Sequence, residues 1–217
     1  MGRVTEPMTP RRFQEAEGTG DWRVLMAGAC AHFRTGSFAA GVALVAAIGR
    51  LAGAAGKQPD VDLRPDGVTV RLRDLGGLRE DDVDLARQVS AAARELGLPA
   101  DPAAVQTVQV AIDAVADPEV MQFWRAVLGY EQFGDEDLLD RHWRGPAFWF
   151  QKVGAPHPER NRIHVDISVP HDQAEARVAA AVAAGGRVVS DRFAPAWWTL
   201  ADPEGNEADI ATWMGRD

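Results

Sequence analysis

RNRIHVDI (160–167), followed downstream by AWWTLADPEGNEADI (196–210), decides how this chain is read. In the first stretch the residues alternate: Arg162, His164 and Asp166 fall on one side of an extended strand, and Ile163, Val165 and Ile167 on the other. One face is apolar and one is chemical, which predicts a strand lining a polar cavity. In the second stretch DPEG is a turn signal, after which Glu207 and Asp209 alternate with Ala208 and Ile210, predicting a strand with acids on one face. His164 and Glu207 are expected to meet across a sheet.

Outward from these strands, one element order occurs twice. VQVAIDAV (108–115) reads as a strand, DPEVMQFWRAVLG (117–129) as a helix, and the segments to Val153 as further strands. RIHVDISV is again a strand, DQAEARVAAAVAAGG (172–186) again a helix, and RVVSDRF, AWWTLA and NEADIAT are strands. Two tandem βαβββ units form an internal repeat whose half-sheets are expected to enclose a cavity. Trp143, Phe148, Trp149, Phe150, Trp197 and Trp198 crowd into the predicted strands, and one of the adjacent tryptophans must face inward while the other faces out. They suit a flat or hydrophobic ligand, or they pack between sheet and helices; the pattern leaves both open. Arg162 either neutralises an anionic substrate group or pairs with Asp166.

The N-terminal half reads as an α+β layer. A strand pair around WRVLMAGACAHFRTG (22–36) leads into the helix SFAAGVALVAAIGRLAGAAG (37–56), with Ser37 as N-cap and Phe38, Val42, Val45, Ile48 and Ala52 at helical spacing. A turn at Pro59, a strand VTVRL (68–72), a GG turn and a second amphipathic helix, EDDVDLARQVSAAARELG (80–97), follow. LPADPAA (98–104) carries two prolines directly after a helix ending at Gly97, so residues 1–98 and 105–217 are expected as two domains joined by a linker at 99–104.

Composition narrows the function. The 217 residues, 46% hydrophobic, suffice for one large core or two modest ones. A net charge of −9 argues against a nucleic-acid partner, since no Lys/Arg cluster is present to release phosphate counterions, and points to small-molecule partners. The single cysteine, Cys30, excludes an internal disulfide and a Cys-built zinc site and reads as a small buried hydrophobe. MGRVTEPMTPRR lacks the apolar core of a targeting segment, and the apolar run 37–56 is Gly/Ala-rich and holds Arg50, so a soluble cytoplasmic protein without a membrane partner is expected.

On DPEVMQFWRAVLGYE, NRIHVD and DPEGNE, residues 105–214 resemble the vicinal oxygen chelate superfamily, in particular its glyoxalase-like branch. The resemblance implies ligands to a divalent metal (iron, manganese, nickel or zinc) from the first strand and a late strand of each module: Gln109, His164 and Glu207, with the remaining slot near Gln151, where glyoxalases supply a carboxylate. Such an ion would act as a Lewis acid on vicinal substrate oxygens, with His164 and Glu207 as catalytic residues, although amides in two slots weaken the site. The alternative is a metal-free pocket in which His164 pairs with Asp166 or Glu207. Around either, Arg162, Asp166, Trp149, Gln151, Trp197 and Trp198 are the expected substrate-binding residues. The superfamily spans several reactions, so the resemblance implies a fold more than a chemistry.

Residues 9–98 resemble the pterin-4a-carbinolamine dehydratases on DWRVL, FRTGSFAAGVALVAAIGRLA, KQPDVDL, VTVRL and GGLREDDVDLARQV. That resemblance implies a four-stranded antiparallel sheet packed by helices, with paired histidines just before the turn proline and another shortly before the GGL. Here Lys57, Gln58 and Arg73 stand at those positions. Histidine exchanges a proton near neutral pH; glutamine does not titrate, arginine stays charged, and lysine needs strong desolvation or a cationic neighbour to serve. Dehydratase activity is therefore expected to be lost or much reduced, with Lys57 the one replacement able to titrate. A pterin groove formed by Lys57, Gln58, Pro59, Asp60, Arg73 and Asp74 is expected, in which Asp60, Asp62 and Asp74 either pair with an amino-pyrimidine edge or are solvated turn acids.

Three readings follow: an enzyme working through the C-terminal domain, with the other serving assembly or ligand capture; a 4a-hydroxytetrahydrobiopterin dehydratase, a lyase; and a non-catalytic protein that sequesters an aromatic or pterin-like compound. The apolar helix 37–56 would allow a homodimer.

Overall fold

The computed structural model describes residues 7–25, 28–73, 77–114, 117–152, 165–169, 174–212 and 214. Two compact units, Met1–Thr107 and Val108–Asp217, make up the chain.

The first unit runs α1 (Pro10–Gln14), β1 (Arg23–Leu25), β2 (Gly28–Arg34), α2 (Phe38–Ala55), β3 (Asp60–Leu63), β4 (Gly67–Leu72) and α3 (Glu80–Glu95). The four strands form an antiparallel sheet in the order β1-β2-β4-β3. Alternation sends Ala29, Ala31 and Phe33 of β2 and Val68, Val70 and Leu72 of β4 into a core shared with Trp22, Leu44, Ile48, Leu85 and Val89. DVDL, read from sequence as part of a turn, is the edge strand β3, because its alternation places Val61 and Leu63 against that core.

Helix α2 starts where expected, with the Ser37 hydroxyl accepting from the Ala40 N–H at 3.2 Å, and stops at Gly56, whose φ of 65° is left-handed. Its buried stripe is Gly41, Leu44, Ile48 and Ala52, while Phe38 and Val42 point outward, 55% and 47% exposed. The face is rotated from the one the apolar spacing suggested because Gly41 sets the approach: a Cβ there would collide with Leu63 Cδ1 and crowd Val68. At the expected linker, Arg34 N–H donates to the Pro99 carbonyl at 2.9 Å and Asp101 N–H to the His32 carbonyl at 2.8 Å. With Leu98 buried, these residues run alongside β2 as part of the first unit.

The second unit runs β5 (Gln109–Ala114), α4 (Asp117–Leu128), β6 (Glu131–Phe133), β7 (Asp137–Leu139) and β8 (Ala147–Lys152), then β9 (Val165–Ser168), α5 (Ala174–Ala183), β10 (Arg187–Ser190), β11 (Trp197–Ala201) and β12 (Glu207–Ala211). The sheets have equivalent orders, β5-β8-β7-β6 and β9-β12-β11-β10, with the first and last strands of each module parallel. This is the tandem βαβββ arrangement. One face of each sheet meets the helices: Ile112, Leu138, Phe148 and Phe150 from one, and Leu200, Ala208 and Ile210 from the other, join Phe123, Trp124 and Val127 of α4 in a single core. Alternate residues form a second face on each sheet.

The loops leading into β8 and β12 repeat one device. Each opens with an aspartate whose carboxylate gathers the backbone N–H groups that follow. Asp140 accepts from His142, Arg144 and Gly145 at 2.9, 2.7 and 3.2 Å. Asp202 accepts from Glu204 and Asn206 at 2.9 and 2.8 Å. Three residues after each aspartate the backbone turns to positive φ, 97° at Gly205 and 53° at Trp143. Glycine adopts this conformation freely; an L-residue with a Cβ is disfavoured by about 1–2 kcal/mol. Asp202 is fully buried, and it also accepts from the Asn206 side-chain amide at 2.7 Å and from the Trp124 indole N–H at 3.1 Å, joining the second-module loop to the first-module helix.

Two stability predictions follow from these contacts. Gly41→Ala lowers stability by about 1–3 kcal/mol through overpacking, whereas Gly49→Ala on the same helix, with nothing within 4 Å of the new methyl, gains about 0.5–1 kcal/mol. Asp202→Ala costs roughly 3 kcal/mol or more by orphaning buried donors, and Trp124→Phe about 1–3 kcal/mol; urea denaturation of each variant measures both.

Candidate functional site

In the N-terminal unit, two of the three positions at which the resemblance implies histidines, Lys57 and Arg73, hold ion pairs. The Lys57 ammonium lies 2.8 Å from Asp81 Oδ1 and 2.9 Å from Asp82 Oδ1, at the point where the end of α2 meets the first turn of α3. Burial, the largest single influence, would lower the Lys57 pKa, but the hydrogen bonds and charges of Asp81 and Asp82 together outweigh it and raise it above the usual lysine value. A base must shed its proton, and these two carboxylates favour its retention by Lys57. Arg73 pairs with Asp60 and therefore does not serve as the cationic neighbour that would lower Lys57. Asp62 pairs with Arg64 at 2.9 Å, Gln58 is exposed and Pro59 half-buried, and Asp74 lies outside the described residues. Cys30 is buried in β2, and burial pushes its thiol pKa up despite the nearby Arg71.

In the C-terminal unit, Gln109 is the first residue of β5 and is exposed; Glu207 is the first residue of β12 and is half-buried. Asp166 on β9 is exposed and sits beside Asp209 on the second face of the sheet that carries Glu207. Arg162 and His164 lie outside the described residues, as does the side chain of Gln151. The register does place a residue opposite Gln109, and it is Ala147, the first residue of β8 as Glu207 is of β12. Ala147 carries no donor, and the side chain of Gln151, near which the fourth slot is expected, lies outside the described residues.

The aromatic residues divide by face. Trp149 is on the second face, opposite Asp137 of β7, and burial raises the Asp137 pKa above the usual carboxylate value. Trp197 shares the second face with Glu207 and stacks on Phe193, ring centroids 4.3 Å apart and planes 18° from parallel. Trp198 points the other way and packs on the helix-side core, as do Phe148 and Phe150, which is the packing alternative left open for them by the sequence. Trp143 is in the loop before β8 rather than in a strand.

Among the described residues no three His, Cys, Asp or Glu side chains converge on a metal position. Of the three ligands that the resemblance implies, Gln109 and Glu207 are described, each at the first position of its strand. Were they to meet His164, one imidazole and two oxygens would suit a divalent ion with positions left for substrate oxygens.

Sequence reasoning missed Asp137, the aspartate-centred loops and the positive φ at Trp143. The recurrence of Asp a fixed step after a strand, in DRHWRG and DPEGN, was the available signal.

Comparison with known proteins agrees with this division. Residues 109–211 match the family model described as a glyoxalase-like domain, and residues 6–92 match that of pterin 4 alpha carbinolamine dehydratase. A protein of Roseiflexus sp. (strain RS-1), carrying a provisional name as a pterin-4-alpha-carbinolamine dehydratase, is 44% identical over 59 residues, which are 26% of this chain and 63% of that protein's length. Among solved structures, a glyoxalase-related enzyme from Fulvimarina pelagi has 18% identity and a TM-score of 0.40, covering 50% of this chain and 88% of that one. A fosfomycin resistance protein from Listeria monocytogenes, solved with Mn(II) and sulfate, has 10% identity and a TM-score of 0.40, covering 49% and 89%. The N-terminal unit thus resembles the pterin-4a-carbinolamine dehydratases and the C-terminal unit the glyoxalase-like branch of the vicinal oxygen chelate superfamily.

Proposed function

We propose that this protein is an enzyme acting on a small molecule through its C-terminal unit, and that the N-terminal unit is a degenerate dehydratase fold serving assembly. The observation that carries this reading is the contrast in proton chemistry between the units. In the first, Lys57 is held protonated by Asp81 and Asp82. In the second, Asp137 has a pKa moved towards neutrality and shares its sheet face with Trp149, and Glu207 stands half-buried at a strand end. On this proposal Asp137 exchanges a proton with the substrate, Trp149 and Trp197 contact its apolar surface, and Gln109, His164 and Glu207 hold a divalent ion that supplies Lewis-acid polarisation when bound.

Elemental analysis of untagged protein equilibrated with manganese, iron, nickel and zinc, beside His164→Ala and Glu207→Ala, tests the metal component. Near-stoichiometric metal in the parent and its loss in both variants is expected. Absence of metal in the parent under every condition removes the metal component and favours the sequestering reading. Turnover of a 4a-hydroxytetrahydropterin is expected to stay at the uncatalysed rate; a rate that falls in Lys57→Gln would instead establish the lyase reading.

Helix α2 supports the assembly role. It is long and apolar enough to cross a membrane by length and composition, but Leu44, Ile48 and Ala52 are core residues that a spanning helix would have to withdraw. Its outer face, Phe38, Val42, Ala46, Gly49 and Gly53, is apolar and small, and we assign it to a second copy of the chain as a homodimer. Sedimentation equilibrium is expected to give a dimer for the parent and a monomer for Val42→Glu; a parent monomer at high micromolar concentration would refute the assignment.

A further inference from the structure

We infer that the C-terminal unit binds an organic ammonium ion on the second face of its first sheet, where one row across the strands sets Asp137 between Phe133 and Trp149. The inference rests on the reading that this unit takes a small molecule, and it names the charge class of that molecule.

Strand register fixes the row. Phe133 of β6 stands directly opposite Asp137 of β7, Asp137 opposite Trp149 of β8, and Trp149 opposite Ala111 of β5. Residues paired in this way share one face of a sheet, with neighbouring Cβ atoms about 5 Å apart. Ile112, Leu138, Phe148 and Phe150 take the helix-side positions of these strands, so the row lies on the other face, two residues along from the pair Gln109 and Ala147. Its large side chains are not absorbed by the core: Phe133 is 41% exposed, and Asp137 and Trp149 are half-buried. The ring contacts among the described residues join Phe123 to Trp124, Phe148 to Trp124 and Tyr130, and Phe193 to Trp197, and they involve neither Phe133 nor Trp149.

Charge identifies the occupant. The carboxylates of Asp60 and Asp62 pair with arginines, and those of Asp140 and Asp202 gather N–H groups. Among the described residues the Asp137 carboxyl has neither a cation nor a donor, and burial alone pushes its pKa up. A half-buried carboxylate in that state is destabilised, and a positive partner removes the penalty. The surrounding chain is acidic as well: Glu131, Asp135, Glu136, Asp137 and Asp140 fall within residues 131–140, which contain no lysine or arginine. Arg141 and Arg144 follow, but they pair with Glu131 and Asp140, so among the described residues no basic side chain meets Asp135, Glu136 or Asp137. Such a field draws cations and repels anions. A single carboxylate offers too few oxygens for a metal ion, which takes several. An ammonium ion flanked by two aromatic rings gains from their faces in addition to the carboxylate, and its apolar substituent lies on the indole.

The test titrates the full-length protein with benzylammonium, its neutral counterpart benzyl alcohol and the anion benzoate. Heteronuclear NMR follows the indole N–H resonance of Trp149, identified by its disappearance in Trp149→Phe. Benzylammonium is expected to shift that resonance saturably and to bind at least about tenfold more tightly than the other two. Asp137→Asn keeps the shape of the side chain and removes its charge; it should reduce benzylammonium to the affinity of benzyl alcohol, with the backbone resonances of the other strands unmoved as evidence that the sheet is intact. Phe133→Leu should weaken benzylammonium about threefold through the loss of one ring face. No saturable shift with benzylammonium in the parent, or equal affinity for it in the parent and Asp137→Asn, overturns the inference. Benzyl alcohol or benzoate shifting the Trp149 resonance with the affinity of benzylammonium overturns the charge class, and the reading that the C-terminal unit takes a small molecule stands.

Discussion

The C-terminal unit depends on one buried carboxylate. Asp202 has no solvent exposure, and four donors converge on it: two backbone N–H groups of its own loop, the Asn206 amide and the Trp124 indole. Three of the four organise the turn that feeds β12. The fourth comes from a helix of the other module, so the position of Glu207 at the start of β12 is linked to the packing of α4. Trp124 is itself wedged into the core, 5.7 Å from Phe123 edge-on and 5.8 Å from Phe148 in a stacked arrangement. Apolar packing locates the indole, and the indole locates the carboxylate.

Repetition with divergence then gives the two modules different side chains at equivalent backbone positions. The same loop plan carries glycine at its positive-φ position after Asp202 and Trp143 at that position after Asp140. The same strand position yields a carboxylate in Glu207 and a methyl in Ala147. A duplicated scaffold keeps its hydrogen-bond logic because backbone donors must be satisfied in both copies, while side chains that touch only the second face are free to diverge.

In the N-terminal unit the cations at the implied histidine positions are part of the packing. Lys57 and Arg73 at the histidine positions each find carboxylates, and the resulting pairs tie α2 to α3 and the end of β4 to β3. Asp82 serves twice, binding Lys57 through one oxygen and the Arg79 N–H through the other, so the cation is attached to a helix cap. An ammonium held this way joins two helices, and its carboxylate partners raise its pKa above the usual lysine value.

The sequence by itself determined the class of fold, the two βαβββ modules and the dehydratase-like layer, because the 2.0 and 3.6 periodicities and the turn residues are local properties. It also showed that Gln58 and Arg73 stand where the resemblance implies histidines, and that neither side chain titrates near neutral pH. Only the tertiary structure decided which face of α2 is buried, because the close approach at Gly41 depends on Leu63 and Val68 from other strands. It alone decided that Trp198 belongs to the core and Trp197 to the second face, a choice set by strand register. It alone decided the state of Lys57, whose partners are more than twenty residues away in sequence. Electrostatic and steric environments are made by neighbours in space, and the chain order carries no record of them until it folds.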